Sequence, residues 1–593
     1  MIQKKKPRQD AYAPVARNPT LVTRLPLWRS KLVIFLIFAA FAALIGRAFW
    51  VQVVNQDFYV VQGQKRYQRT LELDASRGRI VDRHGALLAV SLATYEIWAT
   101  PKLLDPATYA PLAKLLGLPL PELRRRLGGE RSFVLLKRQV DADTAAAIDK
   151  LDRAGITRIA DSKRFYPEGE SAAHVVGFTD IEDKGQEGVE LAANEQLSGT
   201  PGQREVIRDR LGRVVLETRP QVPALNGATI HLSIDRRVQQ LAYSQLKAAI
   251  AKHGAEAGSV VVLDARNGEI LALANYPSFD PNDRGRLTGK QLRNRAVVDT
   301  FEPGSTIKPV VIGLALDSGK IRPQTMIDTA PGTYKIGPNV IHDTSDHGRI
   351  TVAEALQKSS NIALAKIALN LPAKTIWNKY QDYGLGRAPE LTFPGVASGR
   401  VRAWQSWRPI EQATMSYGYG LSTSLLQIAQ AYTAYAGDGT MHPAHLLLDA
   451  DAAAASTASA ASAADSASAT ADTATAPGRS VTSPATAAAL RAMLEAAVGP
   501  GGTGRAASVA GYRVGGKTGT ARKQIGSTYA KNRYRALFVG MAPMSHPQII
   551  VAVMIDDPAG RAFYGGTVAG PVFSAVTGGT LQLLGVPPDA QGR

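Results

Sequence analysis

In FEPGSTIKPVVIG, Phe301 to Gly313, a serine follows Pro-Gly and a lysine comes three residues later, at the head of an apolar run. Helical positions i and i+3 share a face, so Ser305 and Lys308 stack one turn apart. The serine then sits at the positive end of the helix dipole, which stabilises a developing alkoxide. A partly desolvated lysine with positive charge nearby loses its proton near neutral pH and serves as the base. A serine that merely opens a helix, followed by a solvated lysine, gives the same spacing. In a chain of 593 residues S-x-x-K recurs by chance, so the pair alone decides nothing.

Two further stretches carry matching chemistry. TVAEALQKSSNIALAKIAL opens with Thr351 and Glu354 in a capping box, and the short helix breaks near Lys358-Ser359 before another apolar helix starts. The break leaves Ser359 and Asn361 on a loop, the first able to relay a proton and the second to hydrogen-bond a peptide. GYRVGGKTGTARK reads as a glycine-rich strand, in which Gly515, Gly516 and Gly519 remove bulk where another backbone approaches, as when an extended peptide lies along a strand. Lys517, Thr518 and Thr520 then hold a terminal carboxylate with one charge and two hydroxyls. Taken singly, this run is equally a basic surface strand.

S-x-x-K, S-x-N and K-T-G in that order form the set used by penicillin-recognising serine enzymes, where the middle motif is S-D-N. On these residues the chain resembles the class B penicillin-binding proteins, the peptidoglycan D,D-transpeptidases, and among them the cell-division FtsI type. NRAVVDTFEPGSTIKP, ATMSYGYGLSTSLLQIAQAY and SRGRIVDRHG are similar to that branch. The resemblance implies that Ser305 attacks the carbonyl between the last two D-alanines of a stem peptide, releasing D-alanine and leaving an acyl-enzyme. It implies Lys308 as the base, Ser359 and Lys517 as the proton path to the leaving amine, and the N–H groups of Ser305 and Thr520 as the oxyanion hole. Asn361, Thr518, Gly519 and Thr520 contact substrate, beta-lactams trap Ser305, and an FtsW-like glycan polymerase is the membrane partner. No cofactor or metal is implied.

The elements that must position these residues follow from patterning. The fold class is α/β of the α+β kind. Thr229 to Ala251 reads as a strand and a helix that open the second unit. GSVVVLDARNGEILALAN gives two strands joined across Asn267-Gly268, and RALFVGMAP and QIIVAVMID give two more near the far end. Strands at both ends with helices between predict an antiparallel sheet covered by helices over 229–589. Residues 55–228 read as a mixed, non-catalytic N-terminal module, in which Arg77 and Asp82 with Gly78 and Gly85 suit a salt bridge in a tight turn. GQEGVE opens a helix that runs to Leu197. Asp449 to Gly478, almost wholly Ala, Ser, Thr and Asp, reads as a flexible insertion outside the family pattern.

The formal charge of +19 at first suggests a nucleic-acid partner. Eight Lys/Arg against one acid lie between Met1 and Lys31, however, so more than a third of that charge is in a short tail. No zinc-finger spacing or aromatic-interleaved basic stripe accompanies the rest, which excludes the usual nucleic-acid folds. The apolar run that follows, Leu32 to Val54, would rise about 34 Å as a helix, enough to cross a hydrocarbon core of about 30 Å. Its A-x-A triplet lies inside the run, not after it, which favours a retained anchor over a cleaved signal. The basic tail 1–31 puts the N-terminus in the cytoplasm and everything after Val54 in the periplasm, on the bacterial inner membrane. Arg47 lies two-thirds along the span, where it must snorkel or face a partner.

Three other signals are read as bland. GPGGTG, Gly499 to Gly504, follows a helical run, so it is a loop leading to the K-T-G strand and not a dinucleotide fingerprint. HDTSDHG, His342 to Gly348, lacks a complete metal-ligand spacing and reads as a polar loop. The absence of cysteine removes disulfides and thiolate chemistry. Rival readings are an elongation-type transpeptidase, a D,D-carboxypeptidase or beta-lactamase that passes the acyl group to water, and a scaffold or sensor that keeps the pocket without turnover.

Overall fold

The structure, a computed structural model, describes residues 27–448 and 477–590 apart from 130, 152–154, 209–213, 218–221, 527 and 561. The basic tail up to residue 26 and the Ala/Ser-rich run 449–476 lie outside the described residues. Contacts divide the chain into two units, one of residues 1–73 with 202–223 and one of 74–201 with 224–593.

In the first unit the helix Leu27–Phe49 continues as a π-turn, Trp50–Val54. Together they make 28 residues long and apolar enough by length and composition to cross a membrane, with none buried by protein. The Arg47 guanidinium reaches towards the polar end and meets the Tyr59 hydroxyl at 3.4 Å. A three-stranded antiparallel sheet, Gln68–Leu73, Gly202–Arg208 and Val214–Glu217, completes this unit.

The second unit begins with a sheet around the long strand Leu87–Ala99, which pairs antiparallel with Ile156–Phe165 along ten residues and with Val134–Val140 at its end. Leu112, Leu116, Leu123, Leu136 and Ile148 close a core beneath it. Ile230–His231, expected to open the catalytic sheet, instead joins this one, parallel to Ile80–Val81. A second correction concerns Arg77. Its partner is not Asp82 but Glu190, at 2.6 Å, and the other Glu190 oxygen takes Arg164 at 2.6 Å. Asp82 instead accepts the backbone N–H groups of His84 and Ala86, tying off the turn. The GQEGVE segment is a strand, Gly185–Glu187, and two short helices, Gly188–Ala192 and Asn194–Ser198.

The catalytic sheet follows. Helix α1, Arg236–His253, is capped by the Asp235 carboxylate at one end and left-handed Gly254 at the other. Strands β1, Ala257–Asp264, and β2, Ile270–Tyr276, form the expected hairpin; a side chain on Gly268 (φ +85°) would strike the Pro443 carbonyl. Then come α2, Lys308–Asp317, α3, Val352–Gln357, α4, Asn361–Leu369, α5, Leu425–Ala436, and α6, Pro484–Val498. Three strands, β3, Gly515–Ile525, β4, Thr528–Ala542, and β5, Ile549–Asp556, and helix α7, Gly570–Leu583, finish the chain.

The five strands are all antiparallel, in the order β2-β1-β5-β4-β3. Successive side chains of a strand point to opposite faces. Val260 and Val262 accordingly join Val551, Val553 and Phe573 under α1 and α7, while Val261 and Leu263 join Ile550 and Ala552 against α5. Every residue of β1, β5 and α5 is buried, so the centre of the sheet is sandwiched between helical layers. β3, which carries K-T-G, lies at the end of that order, with no strand on its outer edge among the described residues.

Candidate active site

The nucleophile candidate lies where Phe301 to Gly304 turns into α2. Residues 304–307 form one tight 3₁₀ turn that runs into α2, with Pro309 inside its first turn, where a missing N–H costs nothing. Ser305 is half-buried, and its hydroxyl makes no hydrogen bond among the described residues. Lys308, one turn on, is fully buried.

Two neighbours hold this turn against the sheet. Gly418 (φ +88°) lies so close that a Cβ would sit 2.1 Å from the Gly304 carbonyl, and the Gly304 N–H donates to the Gly418 carbonyl at 3.2 Å. A Cβ on Gly519 would sit 2.8 Å from the Thr306 methyl and 3.1 Å from the Pro303 carbonyl. The glycine of K-T-G thus makes room for the protein's own nucleophile turn. Gly515 and Gly516 make room for Met544 and Phe538, so these glycines admit internal packing where sequence reasoning assigned substrate.

The capping box at Thr351 and Glu354 is present, and α3 ends at Gln357. Ser359 then adopts φ +63°, a left-handed conformation costly for serine, which reverses the chain before Ser360 caps α4. That reversal turns both the carbonyl and the hydroxyl of Ser359 inwards. The Lys308 ammonium nitrogen donates to the Ser359 carbonyl at 2.5 Å, to Asn361 Oδ1 at 2.9 Å and to Ser359 Oγ at 3.2 Å. Lys517 Nζ donates to the same Ser359 hydroxyl at 2.9 Å. Three motifs separated by 51 and 158 residues thus converge on one oxygen.

Both lysines are fully buried, and among the described residues no carboxylate pairs directly with either. Burial, with the neighbouring Lys517 charge, holds Lys308 well below the usual lysine value, against a weaker opposing pull from Asp343. Burial lowers Lys517 to about 7. A neutral amine in this position has two N–H groups for the Ser359 carbonyl and Asn361 Oδ1, and a lone pair left over to take a hydroxyl proton.

Thr518 pairs its hydroxyl with that of Thr503 at 2.9 Å and lies 3.3 Å from Lys517 Nζ. Thr520 Oγ1 accepts the Gly565 N–H at 3.0 Å. The cation and the two hydroxyls that stand together are therefore Lys517, Thr518 and Thr503; Thr520 lies further along the strand. Asn361 is tied down at both ends, its Nδ2 donating to the His342 carbonyl at 3.2 Å. That contact fixes its Oδ1 towards Lys308.

Sequence reasoning missed two of these residues. Asp343, in the segment read as a polar loop, accepts the N–H groups of Asn361 (2.5 Å) and Ile362 (3.1 Å) and the Ser360 hydroxyl (2.5 Å). It is the anchor that seats S-S-N. Thr503 belongs to the GPGGTG loop. Among the described residues, no group of three or more His, Cys, Asp and Glu is placed to hold a metal ion.

Residues 258–578 match the penicillin binding protein transpeptidase domain, and residues 72–232 match the penicillin-binding protein dimerisation domain. The chain is 42% identical to the probable peptidoglycan D,D-transpeptidase PenA of Neisseria meningitidis, over 94% of its own length and 93% of the relative's. It is 38% identical to the peptidoglycan D,D-transpeptidase FtsI of Escherichia coli, over 95% and 93% of the two chains. The apo transpeptidase domain of penicillin-binding protein 3 from Burkholderia pseudomallei superposes with a TM-score of 0.53 at 46% identity, covering 61% of this chain and 98% of that one.

Proposed function

Because this chain belongs to the class B penicillin-binding proteins, the peptidoglycan D,D-transpeptidases, we propose that it cross-links stem peptides at the division septum through an acyl-enzyme on Ser305. The observation that carries the assignment of residues is the Ser359 hydroxyl shared by Lys308 and Lys517.

On this reading neutral Lys308 takes the Ser305 proton as Oγ attacks the carbonyl carbon of the penultimate D-alanine. The backbone N–H groups of Ser305 and Thr520 steady the oxyanion, each worth about 3 kcal/mol. The proton passes through Ser359, with Lys517 beside it, to the leaving nitrogen, and D-alanine departs. Lys517, Thr518 and Thr503 hold its carboxylate until then. Lys308, neutral again, takes a proton from the acceptor amine as its nitrogen attacks the ester carbon. The C–N bond forms, the C–Oγ bond breaks and Oγ regains its proton. A beta-lactam follows the first half of this path and stops at the ester.

The apolar helix Leu27–Val54 anchors the protein in the inner membrane, the basic tail facing the cytoplasm and the catalytic sheet the periplasm. Residues 55–228 form the non-catalytic module and 229–589 the transpeptidase region. An FtsW-like glycan polymerase is the membrane partner. The similarity to FtsI supports the septal site over an elongation role.

Labelling membranes with a fluorescent penicillin and mapping the modified peptide tests the nucleophile. The label is expected on Ser305 and absent from Ser305→Ala; label retained in that variant would refute the assignment. Filamentous cells on depletion would support the septal role, and rounded cells the elongation alternative.

A further inference from the structure

The turn that carries Ser305 is wound more tightly than the helix it opens into. Residues 304–307 are 3₁₀, and α2 starts at Lys308. A 3₁₀ turn advances about 120° per residue, so side chains i and i+3 eclipse, whereas an α-helix advances about 100° and sets the same pair about 60° apart. Ser305 and Lys308 are such a pair, and the winding between them decides whether the hydroxyl stands over the amine. The change of pitch falls at Ile307, with φ −87° and ψ −11°. Its ψ is about 30° from the helical value.

The Thr306 carbonyl is where that pitch is decided. In a 3₁₀ turn it would take the N–H of residue 309, but Pro309 has none. In an α-helix it would take the N–H of Val310. Ile307 caps α2 and accepts its first bond, so the Val310 N–H, third in the first turn, has no partner within the helix. The backbone thus offers one donor that would draw the turn into α pitch and none that would hold it at 3₁₀. What meets the carbonyl is the Tyr432 hydroxyl, at 2.8 Å. Tyr432 is buried on α5 with its ring 5.3 Å from that of Tyr435, edge to face. Burial raises the phenol well above its usual value, so it stays an O–H donor. The chain leading to α5 pins the turn at two earlier points as well. Phe301 and Thr423 exchange backbone bonds at 3.0 Å, and the Gly304 N–H donates to the Gly418 carbonyl.

We propose that Tyr432 is a positioning residue for acylation: its hydroxyl occupies the Thr306 carbonyl and keeps the nucleophile turn at 3₁₀ pitch, with Ser305 held over Lys308. The inference rests on the reading of Ser305 as nucleophile and Lys308 as its base. Without the hydroxyl the carbonyl turns to the Val310 N–H, Ile307 takes helical dihedrals and Ser305 swings off the amine, by about 20° for each residue that changes pitch. A misplacement of about 1 Å at a reacting atom costs up to about 10²-fold in rate. One backbone donor replaces one side-chain donor, so the loss falls on the reaction and not on the fold. Lys308 keeps the Ser359 carbonyl and Asn361, so its proton affinity is unchanged.

The experiment measures penicillin acylation of the full-length protein by stopped flow, with labelling run to completion to count the folded molecules. Tyr432→Phe, which removes only the hydroxyl, should acylate about tenfold or more slowly at saturating penicillin, with the half-saturating concentration within about threefold of wild type. Both limbs of its pH profile should stay in place while the height falls, and its denaturation midpoint should match that of the wild type. Tyr432→4-aminophenylalanine, which keeps a donor at the same position, should recover the rate to within about threefold. Tyr435→Phe removes a second buried hydroxyl of α5 that reaches no residue of the turn, and should acylate as the wild type does. An unchanged rate in Tyr432→Phe, its failure to fold, a displaced limb, no recovery with the amino analogue, or an equal loss in Tyr435→Phe would each overturn the proposal. Fluorescent penicillin mapped in the wild type separates the two readings. Label away from Ser305 sinks the nucleophile assignment and this inference with it, whereas label on Ser305 with an unchanged rate in Tyr432→Phe sinks this inference alone.

Discussion

Two clusters of buried cations stand in the second unit, and they are resolved in opposite ways. Arg77 and Arg164, each with its side chain 2% exposed, share the two oxygens of Glu190 at 2.6 Å. The Asp183 carbonyl, Asn194 and Ser198 take further Arg77 hydrogens. Lys308 and Lys517 share a neutral hydroxyl instead, and Asp343, the acid that acts on Lys308, is occupied by the amides of α4. Guanidinium charges are permanent, so that site must supply a counter-ion; an amine can lose its proton, and withholding the counter-ion makes it do so. Architecture and chemistry are thus told apart by whether the charge is neutralised.

The contrast breaks most sharply at Lys308. If its lost proton is the working feature, Lys308→Met should lower penicillin acylation by about 10³-fold in stopped-flow measurements, as loss of a general base does. A fall of less than tenfold would place the base elsewhere.

Glu190→Gln attacks the other cluster. Two buried guanidinium groups would lose their shared charge, at a cost of about 3–5 kcal/mol read by chemical denaturation. The folded fraction should still take up penicillin, because Glu190 touches nothing in the cleft. Wild-type stability in this variant would mean that the ion pairs are ornamental.

The pH profile sharpens the comparison on a finer scale. Acylation needs Lys308 neutral, so the rate should rise with pH through its lowered value; it needs a proton available at Lys517, so the rate should fall as that group empties at about 7. Each limb should approach tenfold per pH unit, giving a bell. A rate still climbing through pH 9 would show that Lys517 has no part in moving the proton.

Much of this was legible from local pattern. The three motifs announced themselves by residue type and order, the hairpin at Asn267-Gly268 by its turn residues, and the break at Ser359 by the end of one helical period and the start of another. What was not legible depends on partners far along the chain. Arg77 looked towards Asp82, five residues away, whereas Glu190, 113 residues away, has the geometry to take two arginines at once. Asp343 looked like loop polarity, because nothing in HDTSDHG reveals that its carboxylate seats the first amides of α4. Ile230–His231 has the composition of a sheet opener, but the strand beside which it lies was decided by the fold of residues 74–201. Tyr432 sat inside a recognised stretch and was passed over, since the carbonyl that its hydroxyl meets, 126 residues away, is a property of packing and not of spelling.

β3 ends the sheet, with no strand on its outer side among the described residues. The common safeguards against sticky rims, a proline or an outward lysine, would spoil the site by removing a donor group or crowding the approach. Gly515 to Gly519, the half of β3 that meets Thr306 and Ser359, is buried, whereas Arg522 and Gln524 beyond it are exposed.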